Sequence, residues 1–340
     1  MKNRRDFIKY LSAVALASSI YLMVDTKKVE ASSIPIVQTN EIPPLPWPYV
    51  ELDVEEVRKL GHLGYYAFAC SGGAFWAIII SLRDKVGYPY TLLPLPSIDE
   101  VKQAVKEKVH INVPLIHGEG GAFGWGSLCG ALNGAGAAIS MVSENWKEIG
   151  KILFRWYETF PFPSDASNEY AVNHQFLVEK YKSDKPLPRS VSNSVSCHVS
   201  VSRWCVKSGY ASGSKERSER CGRLTGDVAA MAVELLNADL RGELDTVAKL
   251  TFTPETLECR ICHYKGKDYE MGQFTRGFLQ CESCHTDMRP HISSNTLNTA
   301  FDVPIGTWSL LAAGLAIVGT GIHLGRKMLN SRKGGKGGES

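Results

Sequence analysis

From residue 51 onward, apolar positions recur every third or fourth residue, the period of a helix with one buried face. ELDVEEVRKL shows the pattern first, and FWAIIISLRDKV is a more continuously apolar run. NGAGAAISMV and NWKEIGKILFRWY follow. In DVAAMAVELLNADL, Val228, Met231, Ala232, Leu235 and Leu236 fall on one helical face. No long alternating run predicts a strand. The pattern predicts a mainly α fold, with one helical domain over residues 51–245. Residues 165–215 are richer in Ser, Asn and Lys, and a long loop is expected there.

The two ends carry apolar runs of another kind. Arg4-Arg5 precede an uncharged stretch from Tyr10 to Val24, the pattern of a twin-arginine signal peptide over residues 1–31. Val29-Glu30-Ala31 resembles its cleavage site. Residues 32–50, with the proline-dense IPPLPWP, predict an extended linker. Between Asp302 and Arg326 there is no charge, and a membrane helix needs about 20 such residues. A transmembrane anchor is expected over 303–325, with Trp308 at one interface. The tail 326–340 carries Arg326, Lys327, Arg332, Lys333 and Lys336. Positive charge marks the cytoplasmic side, so a single-pass protein is expected, its main domain on the outer, periplasmic or extracytoplasmic, face of the cytoplasmic membrane.

Net charge is only +3, which argues against nucleic acid as a partner. GEGGAFGWG looks like a phosphate loop but follows no strand and lacks the spaced glycine fingerprint. Tight turns around Cys129 are the better reading.

The cysteines change the picture most. Of nine, four lie in two CxxCH motifs, Cys259-Arg260-Ile261-Cys262-His263 and Cys281-Glu282-Ser283-Cys284-His285. Two cysteines three apart can form thioethers to the vinyl groups of one porphyrin, and the next histidine reaches the iron. Two c-type haems per chain are expected, in a small loop-rich segment over 246–300. A zinc ribbon is the alternative, and export argues against it. His263 and His285 are the expected proximal ligands. His291 and His198 are the candidate distal ligands, with Met288 a rival. His62, His110, His117 and His174 are isolated and read as surface or core side chains.

Cys70, Cys129, Cys197, Cys205 and Cys221 remain, an odd number that disulfides alone cannot use. Four thiolates can hold an iron–sulfur cluster, although the spacing is not that of a ferredoxin. Haem c is attached after export and gives no reason for the twin-arginine route. A cluster assembled in the cytoplasm does.

CSGGAFWAIIISLRDKVGYPY, GEGGAFGWGSLCGALNGAGAAI, CHVSVSRWC and RCGRLTGDVAAMAVELLNA precede the CxxCH pair in the order found in split-Soret cytochromes c. The chain resembles that family over roughly residues 55–291. Its helical part is similar to the wider C_GCAxxG_C_C redox family, except that Ala122 stands where that motif carries Cys. The resemblance implies a homodimer with two stacked, electronically coupled haems per subunit. It implies irons held by two histidines each, one ligand crossing the dimer, and cysteines that hold an iron–sulfur cluster. An electron carrier rather than a catalyst is expected, exchanging electrons with redox proteins or membrane donors. A small-molecule reductase, or an electron-transfer subunit of a larger complex, is the alternative.

Overall fold

The runs on either side of Cys70 fold as one bent helix, α1 (Val54–Val86), in a computed structural model that describes residues 42–247 and 251–285. Asp53 caps its start by accepting the Glu56 N–H at 2.8 Å. The bend is at Ala69, with φ 57° and ψ −165°. An alanine pays about 1–3 kcal/mol for such a backbone, so tertiary packing must hold it there. The bend folds the second half of α1 back until Gly73 meets Gly64. A Cβ on Gly73 would lie 2.6 Å from the Gly64 carbonyl carbon.

Then follow α2 (Ile98–Glu107), α3 (Gly130–Val142), α4 (Trp146–Thr159), α5 (Asp165–Val172), α6 (Cys197–Ser208), α7 (Lys215–Leu240), α8 (Leu244–Val247) and α9 (Pro254–Cys259). The only paired strands among the described residues are β1 (Pro161–Phe162) and β2 (Ser190–Val191), which run antiparallel. A short 3-10 turn covers Cys281–Ser283.

The core lies between α1, α3 and α7. Trp76, Ile78, Ile79, Val228 and Leu235 are buried in it. Helices α1 and α7 touch at glycines: a Cβ on Gly61 would sit 2.9 Å from the Gly226 Cα. The crossing sets Tyr65 against Gly222 and so places the middle of α1 beside Cys221. Near it, His62 is fully buried, bonded to Glu219 at 3.0 Å and stacked on Phe176 at 3.7 Å. Burial holds the His62 pKa below its usual range, despite the Glu219 carboxylate. This is a core histidine, as an isolated His in a helical run suggests, bonded through Nε2 while its buried Nδ1 has no hydrogen-bond partner.

Helix α3 fits against the start of α1's second half. A Cβ on Gly134 would lie 2.0 Å from the Ser71 carbonyl oxygen. Backbone cannot yield there as a flexible side chain would, so Gly134→Ala is expected to destabilise the fold by about 3 kcal/mol. For a domain of this size that lowers the thermal midpoint by roughly 6–12 °C. Calorimetry checks it, and an unchanged midpoint would contradict the packing.

Helix α1 is also long and apolar enough to cross a bilayer, but most of that stretch is buried in the core. The signal peptide, the anchor over 303–325, the basic tail, Met288 and His291 lie outside the described residues.

Candidate functional site

Four cysteines distant in sequence meet near the bend of α1. Cys70 is the first residue past Ala69, and a Cβ on Gly130 would lie 2.3 Å from its sulfur. Cys129 precedes α3, where its sulfur accepts the N–H groups of Ala131 and Leu132. A short backbone ladder then joins the glycine-rich loop to the start of α6. Cys129 N–H bonds the Val195 carbonyl at 2.9 Å, Cys197 N–H bonds that of Ser127 at 2.7 Å, and His198 N–H bonds that of Gly126 at 2.9 Å. This ladder, with Leu128 opposite Ser196, brings the segments of Cys129 and Cys197 together, and each cysteine lies one residue beyond that pair. Cys221 comes from α7, opposite Tyr65.

The loop between them turns tightly because residues there take positive φ. At Gly121 φ is 75°, and a Cβ would sit 2.6 Å from the Ser127 nitrogen. Only glycine fits such a turn. The loop gives the Gly120 N–H to the Cys70 sulfur and displays Phe123 and Trp125 to solvent.

Electrostatics tie the four thiols into one group. Burial raises the Cys70 pKa, and Cys129, Cys221 and Cys197 raise it further. Cys197 is pushed up to about 12, again by burial first and then by Cys129 and Cys221. Burial also raises Cys129, against the hydrogen bond from Tyr157. The Arg217 guanidinium donates to Cys221. None of these cysteines is in a disulfide. Cys205 stands apart, eight residues from Cys197 on α6 and so about 12 Å farther along the helix. Of the other thiols, only Cys221 influences its ionisation.

Among the described residues, no three His, Cys, Asp or Glu side chains close around a point as a single metal ion requires. The thiols therefore do not suit a mononuclear site. Four sulfurs, each disfavoured as an isolated thiolate by burial but several met by N–H, hydroxyl or guanidinium donors, suit a group that bridges them and brings its own positive charge.

The second assembly is residues 251–285. Thr253 caps α9 by accepting the Thr256 N–H at 3.2 Å. Both CxxCH motifs adopt the same turn. His263 N–H bonds the Cys259 carbonyl at 2.9 Å, and His285 N–H bonds that of Cys281 at 3.0 Å. Such a turn sets the first Cys, the second Cys and the His on one side. The Cys281 N–H bonds the Thr256 hydroxyl at 2.9 Å, so the second motif is fastened to α9. The thiols of Cys259 and Cys281 are within hydrogen-bonding reach of one another. The Nδ1 of His263 lies 3.2 Å from the Gly272 carbonyl. A carbonyl only accepts, so Nδ1 carries the proton and Nε2 is left as the basic nitrogen. Ile261, Tyr269, Met271 and Phe274 around the turns are exposed, an apolar surface of the kind that marks a binding face.

Helix α4 anchors this segment. Arg155 donates to the Phe278 carbonyl at 2.6 Å, and Phe252 lies between the guanidiniums of Arg155 and Arg260. A cavity of about 670 Å³ between α3, α4 and the segment is lined by Leu132, Trp146, Phe154, Phe278 and Leu279. Beneath it, burial raises the Glu158 pKa to about 7, against the attraction of Arg155. A carboxyl raised in the fold favours docking while neutral. Its contribution is full below about pH 4.5 and is lost as pH rises through 7. After division by the intrinsic exchange rate at each pH, the protection of residues 278–282 is expected to fall between pH 5.5 and 8, by an opening free energy of order 1–2 kcal/mol. Glu158→Gln should flatten the profile, and an equally steep profile in that variant would contradict the assignment.

His198 is exposed on the first turn of α6, and His285 is exposed at the end of the described chain. Sequence reasoning missed Tyr157, Arg217 and Glu158. Arg217 was legible, four residues before Cys221 on one helix. Tyr157 and Glu158 reach their partners only through tertiary packing.

The family described as a putative redox-active protein (C_GCAxxG_C_C) matches residues 100–235. Split-Soret cytochrome c of Desulfovibrio desulfuricans is 34% identical over 248 residues, which are 71% of this chain and 77% of that protein. A solved structure described as a novel iron centre in that cytochrome superposes with a TM-score of 0.56 at 30% identity, covering 74% of this chain and 95% of the other. The motif order, the mainly helical fold and this likeness agree: the chain belongs to the split-Soret cytochrome c family, a family of electron-transfer cytochromes.

Proposed function

We propose that the protein is a membrane-anchored dihaem cytochrome that relays electrons on the outer face of the cytoplasmic membrane, with an iron–sulfur cluster at Cys70, Cys129, Cys197 and Cys221. The contact between Cys259 and Cys281 carries the haem part of this reading. Two CxxCH turns that touch at their first cysteines would hold two porphyrins close enough to couple. Haem iron and a thiolate-bound cluster both supply one-electron steps between ferric and ferrous states.

The chain's own residues then have separable roles. Cys259 with Cys262, and Cys281 with Cys284, form the thioethers. His263, held through Nδ1 by the Gly272 carbonyl, would present Nε2 to one iron, and His285 would serve the other. His198, exposed beside the thiol group, and His291, beyond the described residues, are the distal ligands we favour, one of them supplied across a homodimer. The apolar lining of Phe154, Phe278 and Leu279 suits a porphyrin edge. The N–H groups of Gly120, Ala131 and Leu132, with Arg217, favour the ionised thiols on which a cluster depends. Cys205 stays outside the ligand set. The iron centre named for the D. desulfuricans relative supports placing a metal group in this fold.

The anchor over 303–325 and the twin-arginine leader put the redox groups beyond the bilayer, where membrane donors and redox proteins exchange electrons with them. Two histidine ligands to each iron would leave it no open site. Carbon monoxide added to the reduced protein is therefore expected to leave its haem bands in place. A rapid shift would instead identify a five-coordinate haem and favour a reductase.

A further inference from the structure

On the α1 face beside Tyr66, a hollow of about 790 Å³ opens between α2, residues 177–182 and the start of α7. Six lysines line it: Lys102, Lys106, Lys108, Lys180, Lys182 and Lys215. They come from separate segments, so the charge is assembled by the fold rather than by one basic run. The only acid in the lining is Glu179, which is paired with Lys106 at 2.9 Å. Lys102 lies 3.6 Å from Asp99. Lys108, Lys180 and Lys215 are exposed and have no ion pair among the described residues. Lys182 is half-buried with no carboxylate partner either. Its ammonium sits 4.6 Å over the Tyr65 ring and 4.3 Å over the Tyr66 ring. Like charges gathered this way repel one another. Glu179, Asp99 and, at longer range, Glu219 offset part of that charge, and Lys108, Lys180 and Lys215 keep theirs unpaired.

The position matters as much as the charge. Tyr66 lines the hollow, and the Tyr65 ring is 6.3 Å from it. Tyr65 in turn packs on Gly222 and feels the Cys221 and Cys70 sulfurs. The hollow is thus separated from the thiol group by two aromatic side chains. The 251–285 segment is fastened elsewhere, on α4.

We propose that this lysine-rimmed hollow is the docking surface for an acidic partner protein, one that approaches the thiol group through Tyr66 and Tyr65. Taking that partner to be a redox protein rests on the function proposed above; the docking itself does not. Dispersed lysines on a rim steer an oppositely charged surface and set its association rate. Carboxylates presented by the partner would fill the concavity.

The test is binding, with no electron transferred. The full-length protein is titrated with an oxidised plant-type ferredoxin, a small acidic protein, at 20, 100 and 500 mM salt. Wild-type affinity is expected to fall at least tenfold across that range. The triple variant Lys108→Glu, Lys180→Glu, Lys215→Glu should bind at least tenfold more weakly at low salt, while the triple Lys→Arg variant binds like wild type. All three residues are exposed and unpaired, so the variants should fold, and circular dichroism checks that. Equal affinity of wild type and the Glu variant would overturn the proposal. So would binding of tripolyphosphate that the Glu variant loses while ferredoxin binding stays unchanged, since the hollow would then serve a small polyanion. Salt-dependent binding that persists in a protein found to lack the cluster would support the surface while refuting the cluster.

Discussion

Replacing Cys129 by serine is expected to leave the haem content intact and to remove the non-haem iron and acid-labile sulfide of the proposed cluster. Cys129 is the most enclosed of the four grouped thiols, buried at the start of α3, and its sulfur receives the Ala131 and Leu132 N–H groups and the Tyr157 hydroxyl. The backbone bond from Cys129 N–H to the Val195 carbonyl holds the start of α3 against the start of α6. Serine keeps the volume and loses the soft, ionisable ligand that iron–sulfur groups select. Cys205→Ser is the matched control. It is expected to keep the full iron and sulfide content, since helix α6 carries Cys205 about 12 Å beyond Cys197. Loss of sulfide in both variants, or in neither, would contradict the assignment of Cys70, Cys129, Cys197 and Cys221.

The double change Cys259→Ser with Cys262→Ser is expected to halve the covalent haem, from two per chain to one. The same variant should change the optical spectrum by more than half the intensity. Cys259 and Cys281 touch, so haems attached at both would share one electronic environment. Removing one should replace a split Soret band by a single symmetric one. The helical domain should tolerate the loss, because its core of Trp76, Ile79, Val228 and Leu235 lies between α1, α3 and α7, away from the segment. An unsplit band in the wild-type protein, or a split one in the variant, would argue that the two turns act independently.

Much of this architecture is written in local patterns. The apolar period over NGAGAAISMV, NWKEIGKILFRWY and DVAAMAVELLNADL becomes α3, α4 and α7, because each run has one face that must leave water. The glycine-rich stretch at 118–126 is a set of tight turns beside Cys129, as its composition indicates. Each CxxCH string contains its own i to i+4 bond, so its chemistry is legible without the rest of the chain. The long loop expected within 165–215 is residues 173–196, interrupted only by the two-residue β2, and the helices α5 and α6 flank it within the same Ser-rich composition.

What stays hidden is whatever depends on distant residues meeting. The bend at Ala69 rests on the Gly64–Gly73 contact, not on a local breaker at the bend itself. The grouping of the thiols depends on the 126–129 and 195–198 ladder and on the Gly61–Gly226 crossing. Spacing alone left five cysteines equivalent, whereas a helix over Cys197–Ser208 separates Cys205 from the rest by simple rise. The pairing of Cys259 with Cys281 needs α9 and the Thr256 hydroxyl that holds the Cys281 N–H.

The most direct measurement is the mass of the intact polypeptide, made in cells able to mature c-type cytochromes, then denatured and washed free of unbound cofactor. The account predicts a chain heavier by two haems, with the porphyrin absorbance carried on the polypeptide. A chain at its bare mass, with no porphyrin retained, would contradict it.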